Sequence, residues 1–166
     1  MNTALLIARL FIGLGIAAHG AQKLFGWFGG YGLRNTGEFM AKLGWRQGRF
    51  FATAASLAET TGGVLVALGF LWPLGPALMI LMMLTATLTV HIGNGFFADT
   101  KGVELPMLYA MGALILAFTG PGVYSLDRLL GLDWFYSARN AWIAIGIAVV
   151  IALANVVVRR QGAPAS

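Results

Sequence analysis

The residues able to do chemistry in this chain are few, and they stand inside long apolar runs. His19 and Lys23 are four residues apart, so on a helix they project from one face. Glu59 lies between Ala55 and the pair Gly62-Gly63, small residues that let another backbone come close. His91 shares a helical face with Thr87 and Asn94. Glu104 opens an apolar run, where a carboxylate also complements the positive end of a helix dipole. An ionisable group at membrane depth is unfavourable unless it has a partner or a role. Imidazoles and carboxylates in one place can hold a polar ligand and pass protons. His19, Glu59, His91 and Glu104 are therefore the candidate catalytic residues, and Lys23, Thr87 and Asn94 the candidate ligand contacts. The plainer reading is that these groups only bond one another and fix helix register.

No metal site is assigned. Two histidines and two glutamates could ligate zinc or iron, and His19 and His91 could flank a haem, but the Glu-x-x-His pairs of di-iron bundles are missing and nothing selects a metal. The absence of cysteine removes thiolate ligands, disulfides and thiol redox chemistry from the chain. The glycines at 26, 29, 30 and 32 follow no strand, so they read as a tight interfacial turn and not as a dinucleotide loop.

The elements that must position these groups follow from composition. Of 166 residues, 58% are apolar and 10% charged, against about 25% charged in an ordinary soluble domain. That is too little charge to cover a water-facing surface, and it predicts an all-α, polytopic membrane protein whose main partner is the lipid bilayer. A span needs about 20 residues, and the expected spans are residues 3–25, 50–71, 74–96, 104–119 and 138–158. Trp72-Pro73 separates the second and third, because proline lacks the N–H a continuing helix needs. Gly120-Pro121-Gly122 ends the fourth.

Interfacial loops are expected at 26–49 and 120–137, the first carrying a short amphipathic segment over residues 36–45. Trp27, Trp45, Trp72 and Trp134 fall near span ends, as an aromatic belt would place them. Ala144, Ala148 and Ala152 form a small-residue stripe suited to packing on the bundle or on a second copy, so a homodimer is one arrangement.

With five spans the loops alternate sides. Lys23, Arg34, Lys42, Arg46, Arg49, Lys101, Arg159 and Arg160 collect on one side, against Arg128 and Arg139 on the other. The positive-inside rule then places the N-terminus outside and the C-terminus in the cytoplasm. Counted from the span ends, His19, Lys23, Glu59, His91 and Glu104 all fall within roughly 10–12 Å of the cytoplasmic surface. Arg9 and Asp127 lie towards the outer side and are expected to form a structural ion pair. The formal charge of +5 is split among short segments without a basic stripe, so nucleic acid is excluded as a partner.

Several of these residues recur as an ordered set: His19-Gly20-Ala21-Gln22-Lys23-Leu24-Phe25-Gly26, Phe28-Gly29-Gly30, Glu59 with Gly62-Gly63, His91 with Asn94-Gly95-Phe96-Phe97, Glu104-Leu105-Pro106, and Gly120-Pro121-Gly122 leading to Tyr124-Ser125-Leu126-Asp127. The set, over residues 5–130, resembles the DoxX family of bacterial membrane proteins. The resemblance implies a four-helix membrane unit over residues 1–130 in the bacterial inner membrane. Residues 138–158 then form an additional helix, and 159–166 a short basic tail. It also implies a link to quinone-coupled oxidation of sulfur compounds, to a terminal quinol oxidase, or to complexes that resist oxidative stress. On that basis the expected ligand is a quinone, in preference to haem or metal, and the expected partner is a redox protein that supplies electrons. In this reading His19 or His91 bonds a quinone carbonyl, Glu59 or Glu104 relays its proton, and Lys23 favours the anionic form. A non-catalytic scaffold subunit and a proton-coupled carrier are the alternatives.

Overall fold

The computed structural model describes residues 2–159; Arg160 and the rest of the basic tail lie outside them. The described residues contain helices and turns and no strand. In chain order the helices are α1 (Asn2–Phe25), α2 (Gly32–Lys42), α3 (Gly48–Leu68), α4 (Leu74–Ala86), α5 (Glu104–Thr119), α6 (Leu126–Leu129) and α7 (Ala138–Val158). Past Ala86 the chain stays helical through a π turn (Thr87–His91) and a 3-10 turn (Ile92–Asn94). Helices α1, α3, the run Leu74–Asn94 and α7 are long and apolar enough to cross a membrane. Helix α5 is apolar but has 16 residues, about 24 Å of helix against a hydrocarbon layer of about 30 Å.

The chain is an all-α polytopic membrane protein, and its surface agrees with its composition. Ile7, Phe11 and Leu14 of α1 and Ile143, Ile147 and Val150 of α7 are exposed at helical spacing. Such continuous apolar faces are stable against lipid and unstable against water.

Helix α4 is the centre, packed by α3, α5 and α7, while α1 lies along α3. The α1–α3 contact is made by glycine. A Cβ on Gly63 would lie 2.4 Å from the Gly13 carbonyl oxygen, and one on Gly13 would lie 2.6 Å from the Gly63 carbonyl oxygen. Gly62, on another face of α3, meets Leu78 of α4. The core between the helices includes Ile16, Val66, Trp72, Met79, Leu116 and Ile145. Ala148 and Ala152 are buried on α7, whose main neighbour is α4. The alanine stripe is thus used within the chain.

Three expectations are corrected here. Helix α3 stops at Leu68 because Gly69 turns left-handed (φ 63°), the Phe70 N–H bonding the Leu65 carbonyl at 2.9 Å in a glycine-terminated cap. Trp45 and Trp72 are 3% and 0% exposed, so they belong to the interior; of the four expected belt residues, Trp27 and Trp134 are exposed as a belt requires. Arg9 and Asp127 do not take each other as partners. Arg9 is buried and donates to the carbonyls of Pro121, at 2.7 Å, and Tyr124. Asp127 accepts the N–H groups of Leu71 and Trp72, each at 2.9 Å. The reason is that the tight turn between α3 and α4 exposes backbone donors and the 120–124 loop exposes carbonyls, and buried backbone groups demand partners.

Candidate functional site

The close glycine contact between α1 and α3 continues to Gly20, where a Cβ would lie 2.6 Å from the Thr60 nitrogen. Less than one turn further along α1, Lys23 reaches across to α3 and its Nζ donates to Glu59 Oε1. The Glu59 side chain is 1% exposed and that of Lys23 34%. The second carboxylate oxygen, Oε2, is buried and has no hydrogen-bond partner.

Glu59 and Lys23 line a cavity of about 400 Å³, within the usual size range of small-molecule sites. Its walls are Ala54, Ala55 and Ala58 of α3, Met82, Thr85 and Thr89 of α4 and its π turn, and Ile151 and Asn155 of α7. Helix α2 closes one end with Thr36, Phe39 and Met40, followed by Trp45. Trp45 is drawn inward because α2 and α3 approach through Gly37 and Gly48, where a Cβ on Gly48 would lie 2.2 Å from the Gly37 carbonyl oxygen. Its ring packs on Phe51 at 5.9 Å between centroids, and its indole N–H has no partner. Four buried side-chain polar atoms lack a partner among the described residues, and two of them, Glu59 Oε2 and Trp45 Nε1, belong to residues of this one cavity.

His91 completes the lining. Its Nδ1 is 2.7 Å from the Lys101 carbonyl oxygen, and because a carbonyl only accepts, Nδ1 carries a proton, which in the neutral ring makes Nε2 the acceptor. The π turn that ends in His91 is the kind of local irregularity often found where a helix serves a site. Arg159 braces this turn from α7, donating to the Thr89 carbonyl at 2.7 Å.

The expected cluster is therefore only partly assembled. Lys23, Glu59 and His91 meet at the cavity. His19 does not: it is exposed, its ring meets Tyr109 of α5 edge-on at 6.0 Å, and its Nδ1 is 3.1 Å from Gln22 Oε1. Glu104 accepts the Ala98 N–H at 2.8 Å, and Asn94 donates to the carbonyls of Val90 (3.2 Å) and Lys101 (3.3 Å). These two shape the 95–103 loop that presents the Lys101 carbonyl to His91. Thr87 donates to the Met83 carbonyl at 2.7 Å and does not line the cavity. Among the described residues no group of three His, Asp or Glu side chains is placed to hold a metal ion.

Trp45, Thr85, Thr89 and Asn155 are lining residues that sequence reasoning missed. Asn155, an amide in the last turn of α7 within an otherwise apolar run, carried a readable signal. Trp45 carried none, since a tryptophan near a span end ordinarily reads as belt.

The DoxX family profile matches residues 4–92, more than half of the chain. The chain belongs to the DoxX family. The matched DoxX segment contains Lys23, Trp45, Glu59 and His91, while the Ile151 and Asn155 wall from α7 lies beyond it. This DoxX chain is 32% identical over 133 residues to Inner membrane protein YphA of Escherichia coli K12, covering 75% of this chain and 88% of that one. It is 29% identical over 139 residues to Inner membrane protein YqjF of the same organism, covering 80% and 96%. No solved structure matches it.

Proposed function

We propose that this protein holds a small lipid-soluble molecule, of quinone type, in the Glu59 cavity, and that it serves a redox complex of the bacterial inner membrane. The observation that carries the reading is a membrane-embedded cavity whose buried carboxylate is paired on one oxygen and free on the other. An unsatisfied buried acceptor is unfavourable by about 1–3 kcal/mol or more, and a ligand donor removes that penalty. The inner-membrane assignment of two relatives supports the location. The exposed basic residues Arg34, Lys42, Arg46, Arg49 and Lys101 lie at the bundle end where α3 and α5 begin. In our reading that end is cytoplasmic and the start of α1 is outside.

The test uses purified protein in phospholipid nanodiscs titrated with a short-chain ubiquinone, followed by tryptophan fluorescence. Saturable quenching is expected, and Ala58→Phe, which fills the cavity, should weaken it at least tenfold while leaving the thermal midpoint in place. Equal, non-saturable partitioning with wild type and Ala58→Phe refutes the reading. A scaffold role is the second reading, favoured by the half-buried Lys23–Glu59 link between α1 and α3. It predicts that Glu59→Gln lowers stability or complex assembly and leaves ligand titrations unchanged.

A further inference from the structure

We infer that the cavity selects its ligand by a hydroxyl group, holding a lipid-soluble hydroquinone or phenol in preference to the corresponding quinone. The inference rests on the ligand-binding reading above and specifies which polar atoms the ligand must bring.

The polar wall is rich in acceptors. Glu59, in its pair with Lys23, can only accept, and its free Oε2 is buried. His91 donates through Nδ1 to the Lys101 carbonyl, which in the neutral ring leaves Nε2 as an acceptor. Thr85 and Thr89 spend their hydroxyl protons on the carbonyls of Leu81 (2.8 Å) and Thr85 (2.7 Å), so only oxygen lone pairs remain to them. The donors are the unpartnered indole N–H of Trp45, the N–H groups Lys23 does not use on Glu59 and the side-chain amide of Asn155.

A quinone ring offers carbonyl oxygens and no donor. It can accept from Trp45, Lys23 or Asn155, but it leaves Glu59 Oε2 unsatisfied and sets acceptor against acceptor there. A hydroquinone hydroxyl donates to Glu59 and its oxygen still accepts. Between the two ends the lining is apolar, with Ala54, Ala55, Ala58 and Met82 facing the body of the ligand. From Phe51, which carries Trp45, to Glu59 is eight residues of α3, about 12 Å of rise. That length accommodates a substituted ring. Phe39, Ala54 and Ile151 are both lining and exposed, so the cavity opens sideways between α3 and α7, towards lipid. The ligand therefore arrives dissolved in the bilayer.

The experiment compares three probes with one ring and tail on the full-length protein in nanodiscs under anaerobic conditions: decylubiquinone, decylubiquinol and the dimethyl ether of that quinol, which lacks donors. A hydrogen bond to a charged acceptor is worth about ten- to a hundredfold in affinity, so decylubiquinol should bind at least tenfold tighter than the other two. Glu59→Gln, whose amide both donates and accepts, should collapse this preference, whereas Trp45→Phe should weaken quinol and quinone alike. The ether comparison needs only wild-type protein and decides the matter even where Glu59→Gln does not fold. Equal affinities, or tighter quinone binding, with Ala58→Phe abolishing both, overturn the hydroxyl preference and leave the ligand-binding reading standing. Failure of all three probes to saturate overturns both.

Discussion

Removing either partner of the Lys23–Glu59 pair should have very unequal effects, because the two groups are buried to different degrees. Glu59 is 1% exposed and Lys23 34%. Lys23→Met strands a carboxylate whose other oxygen already lacks a partner, and an uncompensated buried charge destabilises by about 3–5 kcal/mol. Glu59→Gln removes the buried charge, and the lysine can turn its ammonium towards the interface. The expected loss is about 1 kcal/mol, the scale of one ordinary hydrogen bond. The double variant Lys23→Met/Glu59→Gln has no stranded charge and should also lose only about 1 kcal/mol, so the pair shows a coupling of about 3–5 kcal/mol in a double-mutant cycle. Reversible unfolding by SDS titration in mixed micelles measures all four proteins on one scale. Two single variants of equal instability, or a double variant as unstable as the sum of the singles, would refute this account of the pair.

The glycine contact between α1 and α3 makes Gly63→Val destabilising by about 3 kcal/mol or more, since overpacking here meets backbone at 2.4–2.5 Å. Gly146→Ala, whose Cβ meets nothing within 4 Å, should instead stabilise α7 by about 0.5–1 kcal/mol; thermal midpoints compare the two. Asp127→Ala leaves the Leu71 and Trp72 N–H groups without their acceptor and should destabilise by about 3–5 kcal/mol, with Asp127→Asn intermediate. The charge swap Arg9→Asp with Asp127→Arg should not recover stability, because each side chain serves backbone groups. At Asp133 the hydrogen bond from Arg128 holds the carboxyl below its ordinary value, which is about 3.9. Its stabilising contribution is therefore complete above the ordinary value and fades as pH falls through the lowered one. An NMR titration of the Asp133 carboxyl should show the low midpoint, and Arg128→Gln should return it to normal.

Much of the architecture was legible in the chain because a bilayer imposes conditions that can be counted along it. Length and apolarity located α1, the helical run Leu74–Asn94, α5 and α7 to within a few residues, and Gly120 and Pro73 marked breaks that the fold uses. Glu59, Lys23 and His91 were legible as candidate site residues because a polar group in an apolar run needs a reason, and the fold brings these three to one cavity.

The partners of each polar group were decided only by tertiary structure. Periodicity and depth put His19, Glu104, Thr87 and Asn94 at the same level as Glu59, but depth is one coordinate, and helix rotation and backbone irregularity supply the others. The α1–α3 glycine seam turns Lys23 towards Glu59, while His19 faces Tyr109. The 95–103 loop consumes Glu104 and Asn94. Trp45 enters the interior because Gly37 and Gly48 let α2 lie against α3, a contact between segments whose composition reads as an interfacial loop. By itself the sequence determined that this is a helical membrane protein with a polar group needing a partner at Glu59, since lipid admits little else. That the partner is Lys23 on one oxygen, with the other oxygen left free in a cavity, was settled by how closely particular small residues allow the helices to pack.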